Sequence, residues 1–563
     1  MKSLVLSLAI ALTSLAQAQM TDRALDGQTK LRLQQEIQYI GNLFENFYAP
    51  KAWKEQHLKW DLKAQQTLAE TRVAAAQTLR EARSAIADFI KSTADYHVGF
   101  SFYSTERASL PFQVKTVEGK TIIVHIDRSK LSEAAFPFAV GDELLTLGDT
   151  PVAQVLQEIQ EQNGANVPET DKALADIYLT RRSGRLNASV PRGPVTLSVK
   201  RASDESVGTV QLAWDYSPEQ LEQASVPLSL KRPVSMIANK KMISPWAHEL
   251  SEEAAAEENR HSIGVRQSFL TDFGDRIWST DDANTFDAYI FRSETGQMIG
   301  VVRVFGYIVS DYTKAMKDFE AIIQKMQTHT EALIIDQINN PGGSVFYLYG
   351  LASMLTDQVL AVPKHKISLT HDEAKECVQF NEAMSKVKNE EEALKLIGET
   401  QGYPGTYQLA VSIKDFCANV IREFRTGQKL SSSLYLWGVD KINPHPKARF
   451  TKPLVILTNE LDFSGGDFFP AILQDNKRAT IVGTRTAGAG GYVVEANFPN
   501  TFGLEFLSFT GSIAQRLGQN PIENLGVTPD VPLAMTLDDY RKGFEGYKKG
   551  VINVIQGLLA AKP

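Results

Sequence analysis

The sequence predicts a multidomain α/β protein, and three observations carry that expectation. At 563 residues the chain has room for several cores, or three or four units at roughly 100–200 residues each. Its first stretch repeats apolar residues at helical spacing, whereas its C-terminal half alternates helical segments with short continuous apolar runs, the pattern of strands buried on both faces. Between them lie short β-rich runs bounded by turn residues. A composition of 43% hydrophobic and 22% charged residues excludes wholesale disorder and a fibrous repeat.

The chain opens with Met1-Lys2, an apolar run from Leu4 to Leu15, and Ala16-Gln17-Ala18, which reads as a secretory leader with an A-x-A cleavage site. Residues 1–18 are therefore expected to be removed, and the mature protein to be exported, to a periplasm or beyond the cell. The apolar run is shorter than the ~20 residues that span a bilayer, and no other segment approaches that length.

Residues 19–108 read as a helical region. Leu33, Ile37, Ile40, Phe44 and Phe47 recur at steps of three and four, and the pattern continues past Leu79 to Ile90. It stops at Asp95-Tyr96-His97-Val98-Gly99, after which Phe100 to Tyr103 alternates as a strand, so His97 sits at a junction. Residues 109–215 are β-rich, and Val140-Gly141-Asp142-Glu143-Leu144-Leu145 resembles the turn and strand of PDZ domains, which bind peptides along a sheet edge. Residues 216–275 form a charged connector with an acidic-alanine run from Glu252 to Glu258. Residues 276–563 form the α/β domain, with Ala332 to Ile335 and Pro453 to Leu457 as buried strands and an insertion at about 363–446 expected to pack as an appendage.

Charge and cysteine content narrow the partners. A formal net charge of −7 with no long basic stretch argues against nucleic acid. Cys377 and Cys417 are too few for a disulfide framework, although one bridge between them is chemically open. No His-Glu-x-x-His or clustered Cys/His spacing supports a metal site; His365 and His371 lack a third ligand nearby.

Two loops could carry chemistry. Asp462-Phe463-Ser464-Gly465-Gly466-Asp467 follows a buried strand and precedes a helix. A serine there can present its hydroxyl beside backbone N–H groups that face a developing oxyanion, although capping the helix is the commoner fate of such a residue. Asn339-Asn340-Pro341-Gly342-Gly343-Ser344 follows the other buried strand and could supply a second oxyanion donor, or be a plain turn. A serine nucleophile needs a base, and nine histidines compete for that role.

The joint pattern settles that competition. Asp95 to Gly99, Asp336-Gln337 through Tyr349, Asp462 to Asp467, Thr486 to Gly491 and Ile522-Glu523-Asn524-Leu525-Gly526-Val527, in this order, resemble the chlamydial protease-like activity factor family within the tail-specific and tricorn-related S41 serine peptidases. The resemblance implies a crotonase-like (ClpP/crotonase-type) peptidase domain, a PDZ-like domain, and a homodimer acting on protein or peptide substrates without metal or cofactor. It makes Ser464 the nucleophile, His97 the general base and Glu523 the acid that orients it; Gly343 and Gly465 are the oxyanion donors inferred from loop position. The wider tail-specific branch places a catalytic lysine in a G-x-x-T-x-G-K-G pattern, and here Gly483 to Gly490 has Ala489 in that slot. Relatives are zymogens, and Met242 to Trp246 and His261 to Gly264 resemble their internal inhibitory segment, so self-cleavage is expected between about Ser225 and His261. The competing expectation is a noncatalytic exported PDZ-like scaffold that binds peptide termini. An esterase is a weaker one, because the Gly-x-Ser-x-Gly elbow is absent.

Overall fold

The computed structural model describes residues 24–220, 242–243, 270–398, 400–496 and 503–561. The leader 1–18 lies outside them, as does the interval 225–261 apart from the two-residue strand Met242–Ile243.

The N-terminal periodicity forms helices Gly27–Phe47, Lys51–His57, Leu62–Ala75 and Leu79–Lys91. Leu33, Ile37, Ile40 and Phe44 are fully buried, and each such side chain contributes roughly 1.5–3 kcal/mol of burial. Thr78 and Glu81 form a capping box that starts the last of these helices. Their core also takes Leu504, Leu507 and Phe509 from the far end of the chain. The strand Phe100–Phe102 explains this closure: it pairs antiparallel with Leu504–Thr510, pinning the segment around His97 to C-terminal sequence.

The β-rich region is a sheet whose main path runs through strands Phe112–Val117, Lys120–Ile126, Glu143–Leu147, Pro194–Lys200 and Val207–Ala213, in that spatial order. Phe112–Val117 is an edge strand flanked by the helix Pro168–Leu179. Part of its open edge is closed from within, because Asp176 Oδ2 accepts from Thr116 N at 2.7 Å.

The C-terminal region is built on a seven-stranded sheet ordered Trp278–Ser279, Phe286–Arg292, Met298–Val304, Ala332–Asp336, Leu454–Thr458, Thr480–Gly483 and Val531–Pro532. The first three pair antiparallel and the rest parallel. The apolar runs 332–336 and 454–458 lie side by side at its centre with every residue buried. Parallel neighbours point the same way, so the loops after them leave the sheet at one edge, where α/β sheets place their sites.

The insertion does not stand apart as an appendage. Its helices His371–Met384, Glu390–Ile397 and Tyr407–Arg425 bury Cys377, Ala393, Ile413 and Phe416 in the same core as the central sheet. Apolar faces on all three helices require a partner, and the sheet domain provides it. Cys377 and Cys417 are both buried in this core and are not joined by a disulfide.

Candidate active site

Ser464 stands between the central strand Leu454–Thr458 and the helix Gly465–Asp475. Its backbone lies at φ 56°, ψ −110°, a conformation that costs a non-glycine residue about 1–3 kcal/mol and persists only where the surroundings impose it. Asp467 imposes it. The Asp467 carboxylate accepts from Ser464 N at 2.8 Å, Gly488 N at 2.8 Å, Ala489 N at 3.0 Å and the Thr486 hydroxyl. Burial pushes this carboxyl up to about 7 against the opposing pull of those donors. The Ser464 hydroxyl is buried and makes no hydrogen bond among the described residues, so it does not serve as the helix cap that the sequence alone favours.

The neighbouring loop brings Gly343 to the same place. Asn340 N donates to Asp462 Oδ1 at 2.8 Å, and Phe463 N donates to the Asn340 carbonyl at 2.9 Å, lacing the two loops together. A Cβ built on Gly465 would lie 3.1 Å from Gly343 N, so the two glycines expected to donate to an oxyanion are adjacent. Gly343 itself lies at φ 142°, and a Cβ there would fall 2.3 Å from the Tyr307 carbonyl carbon, so only glycine fits.

Gly343 has one edge facing Tyr307 and the other facing the connector. Tyr307 N donates to the Gly342 carbonyl, and Ser344 N to the Tyr307 carbonyl, both at 2.8 Å. Strand alternation then turns the N–H and C=O of Gly343 to the opposite side. There Met242–Ile243 pairs antiparallel with it, Met242 opposite Gly343 and Ile243 opposite Gly342.

His97 reaches this region on the loop between the helix Leu79–Lys91 and the strand Phe100–Phe102. Tyr96, next to His97, packs edge-to-face on Phe463, next to Ser464, with ring centroids 5.5 Å apart. Asp95 Oδ1 accepts from His97 N at 2.8 Å, and Ser508 Oγ donates to the His97 carbonyl at 2.9 Å. Asp95 Oδ2 in turn accepts from the Tyr48 hydroxyl at 2.8 Å and the Thr510 hydroxyl at 2.7 Å. The imidazole is fully buried, and neither ring nitrogen has a hydrogen-bond partner among the described residues. Burial holds it down to about 4; the Asp95 charge opposes this and the Lys54 charge adds to it. His97 is therefore neutral at neutral pH, the form that can take a proton.

Glu523 is fully buried, with Oε2 accepting from Gly490 N at 3.0 Å and Oε1 from the Lys54 ammonium. Gly490 and Ala489 belong to the strap that also binds Asp467, so the nucleophile and the acid hang from one segment. The structure records no hydrogen bond from Glu523 to His97; Lys54 holds the carboxylate instead. Burial holds this carboxyl above its usual range and the Asp95 charge adds to that, while the Lys54 ammonium and the Gly490 N–H pull it back down.

Sequence reasoning passed over Lys54, Asp95 and Asp467. The last two lie inside quoted motifs and could have been singled out as short acceptors among backbone donors. Lys54 carries no such signal, since the helix Lys51–His57 also bears Lys51, which is half-buried and pairs with surface carboxylates.

Comparison with known proteins identifies the family and its domains. Residues 106–222 match the PDZ domain family, and residues 298–533 match peptidase family S41. An uncharacterized protein of Chlamydia muridarum (strain MoPn / Nigg) is 36% identical over 564 residues, covering 93% of this chain and 92% of the relative. A protein of Chlamydia trachomatis serovar D is 34% identical over 570 residues, covering 93% and 92%. Among solved structures, mature CPAF (Chlamydia protease-like activity factor) complexed with lactacystin is 33% identical with a TM-score of 0.81, covering 95% of this chain and 99% of that one. A serine-to-alanine CPAF mutant has a TM-score of 0.84 at 33% identity, covering 95% and 98%. Among the described residues no helix is long and apolar enough to cross a membrane. Family membership displaces the noncatalytic alternative: the chain belongs to the chlamydial protease-like activity factor family, with a PDZ domain and an S41 domain, and is a serine-type peptidase.

Proposed function

We propose that the chain is an exported serine endopeptidase working through an acyl-enzyme, with Ser464 as nucleophile, His97 as general base and Glu523 as the acid behind it. The observation that carries this reading is the state of Ser464: strained backbone, buried hydroxyl without a partner, and a helix N-terminus beside Gly343. His97 takes the Ser464 proton as Oγ bonds to the scissile carbonyl carbon, and the N–H groups of Gly343 and Gly465 hold the oxyanion. The tetrahedral species collapses with the C–N bond breaking and the proton passing from His97 to the leaving amine. Water, deprotonated by the same imidazole, then releases the acid.

The form described here is, on this reading, a closed precursor. A substrate lying along Gly342–Gly343 would need the edge that Met242–Ile243 pairs with. Cleavage within about Ser225 to His261 would free that edge. Export rests on the Met1–Ala18 pattern and leaves periplasmic and extracellular destinations open. Assembly as a homodimer rests on the family resemblance and is read out by light scattering of the purified protein.

The deciding experiment is intact mass after incubation with a fluorophosphonate, wild type against Ser464→Ala. A single adduct on the mature wild type and none on the variant is expected. A mature, fully processed wild type that takes no adduct would remove Ser464 as the nucleophile.

A further inference from the structure

Lys54 is the fully buried lysine in a helix whose Lys51 is only half-buried and pairs with Glu45 and Glu55. Removing an ammonium from water is tolerated only where its donors are matched. Lys54 matches all three: Nζ donates to the Ala94 carbonyl at 2.7 Å, to Asn524 Oδ1 at 2.8 Å and to Glu523 Oε1. The same few atoms are cross-braced. Asn524 Nδ2 donates to the Ala94 carbonyl at 2.8 Å, and Trp53 Nε1 donates to Asn524 Oδ1 at 3.0 Å. Asn524 lies at φ 61° and Ala94 at φ 46°, so both loops hold left-handed turns that need outside support.

The placement of these acceptors gives the lysine its meaning. Two belong to the acid loop, and the third is a backbone carbonyl three residues ahead of His97. The carboxylate can accept about four hydrogen bonds, so Lys54 and Gly490 leave room for an imidazole N–H. We propose that Lys54 is a positioning residue for catalysis: its ammonium ties Glu523 to the backbone that carries His97, fixing acid and base relative to each other. This rests on the Ser464/His97/Glu523 reading above.

The sign of the pH effect follows from the charges that face the site. These are Lys54, Asp95, Glu523 and His97, with the Tyr48 hydroxyl bonded to Asp95. Taking away the cation lets Glu523 hold its proton to higher pH and raises the proton affinity of His97, since Lys54 pushes down on both. Both changes move the acid limb of the rate profile upward, and loss of packing alone moves neither.

The test uses the chain after cleavage of the connector, with every variant confirmed as fully cut by intact mass, as wild type, Lys54→Met, Glu523→Gln and Lys54→Met/Glu523→Gln, with kcat and KM on a cleavable peptide across pH. Thermal melting of the same set in a Ser464→Ala background supplies a readout that needs no turnover. Lys54→Met should lose about 100-fold or more in kcat with KM within about threefold, with its acid limb moved to higher pH. The double variant should be no slower than Glu523→Gln by more than about threefold, and should melt above Lys54→Met. Independent losses that multiply, additive melting shifts, or an unmoved acid limb would overturn the role of Lys54 while leaving the peptidase reading standing. Fully processed wild type without Ser464-dependent turnover would overturn both.

Discussion

A single methyl group at Gly465 separates the oxyanion reading from a purely structural one. The Cβ of Gly465→Ala would sit 3.1 Å from Gly343 N, 3.2 Å from Gly342 Cα and 2.8 Å from Tyr307 Cδ2. It would thus press against the donor expected to hold the oxyanion. The backbone does not resist, because Gly465 is not among the residues at positive φ, and alanine is favoured over glycine in a helix by about 0.8–1 kcal/mol. What must yield is Tyr307, whose hydroxyl donates to Gln337 Oε1 at 3.0 Å and whose ring packs on Phe469. Loss of one oxyanion donor lowers kcat by about 10²–10³, or about 3–4 kcal/mol of transition-state stabilisation. Gly465→Ala should therefore lose no more melting temperature than Gly466→Ala yet turn over a peptide about 10²–10³ times more slowly than wild type, with a parallel fall in fluorophosphonate labelling. Gly466→Ala is the control: its Cβ meets the Asn340 carbonyl at 2.8 Å, Asp462 Cβ at 3.2 Å and Asn340 Cβ at 3.4 Å before anything else, so it should lower the melting temperature. A Gly465→Ala protein that keeps labelling within about tenfold of wild type would refute the assignment of Gly343 and Gly465.

Three further outcomes are expected. Burial holds His97 at about 4 in the folded chain, so the unfolded chain binds more protons between about 6.5 and 4; His97 stabilises fully above that window and loses about 3 kcal/mol across it as pH falls. Urea melts of Ser464→Ala with and without His97→Asn should differ in that acid slope, with His365, also held at about 4, contributing equally to both. Asp467→Ala strands the N–H groups of Ser464, Gly488 and Ala489 and the Thr486 hydroxyl, so it should lose at least ~3 kcal/mol by denaturant melting, and Asp467→Asn less. Hydrogen exchange at Gly343 should be slow in uncut Ser464→Ala and speed up once the connector is cut, because its outward edge pairs with Met242–Ile243.

Some of this was open to sequence reasoning because it depends on local order. Buried-strand runs at 332–335 and 453–457 and the helical stripe from Leu33 to Phe44 carry their own periodicity, and they became the sheet centre and a helix face. Ser464 and Gly343 could be paired in advance, since each follows one of two neighbouring parallel strands. The insertion was misjudged because the partner for its apolar helix faces lies in another part of the chain. The cap role that statistics favour for Ser464 failed for a similar reason: Asp467, three residues on, takes the Ser464 N–H and leaves the hydroxyl unused.

The acid side of the site was the least legible, and its geometry explains why. Glu523 precedes a turn like many surface carboxylates, and what distinguishes it is Lys54, 469 positions away in sequence. That contact exists because the strand Phe100–Phe102 pairs with Leu504–Thr510, folding the N-terminal helices onto the C-terminal loop. A buried ion pair of this kind gives little net stability over a neutral pair of equal shape, and removing one partner alone is what destabilises, by about 3–5 kcal/mol. Its retention at the centre of the site is thus poorly explained by stability. It is explained if the pair aims a carboxyl beside an imidazole that burial keeps neutral, since acid and base must be held together before Ser464 can be activated.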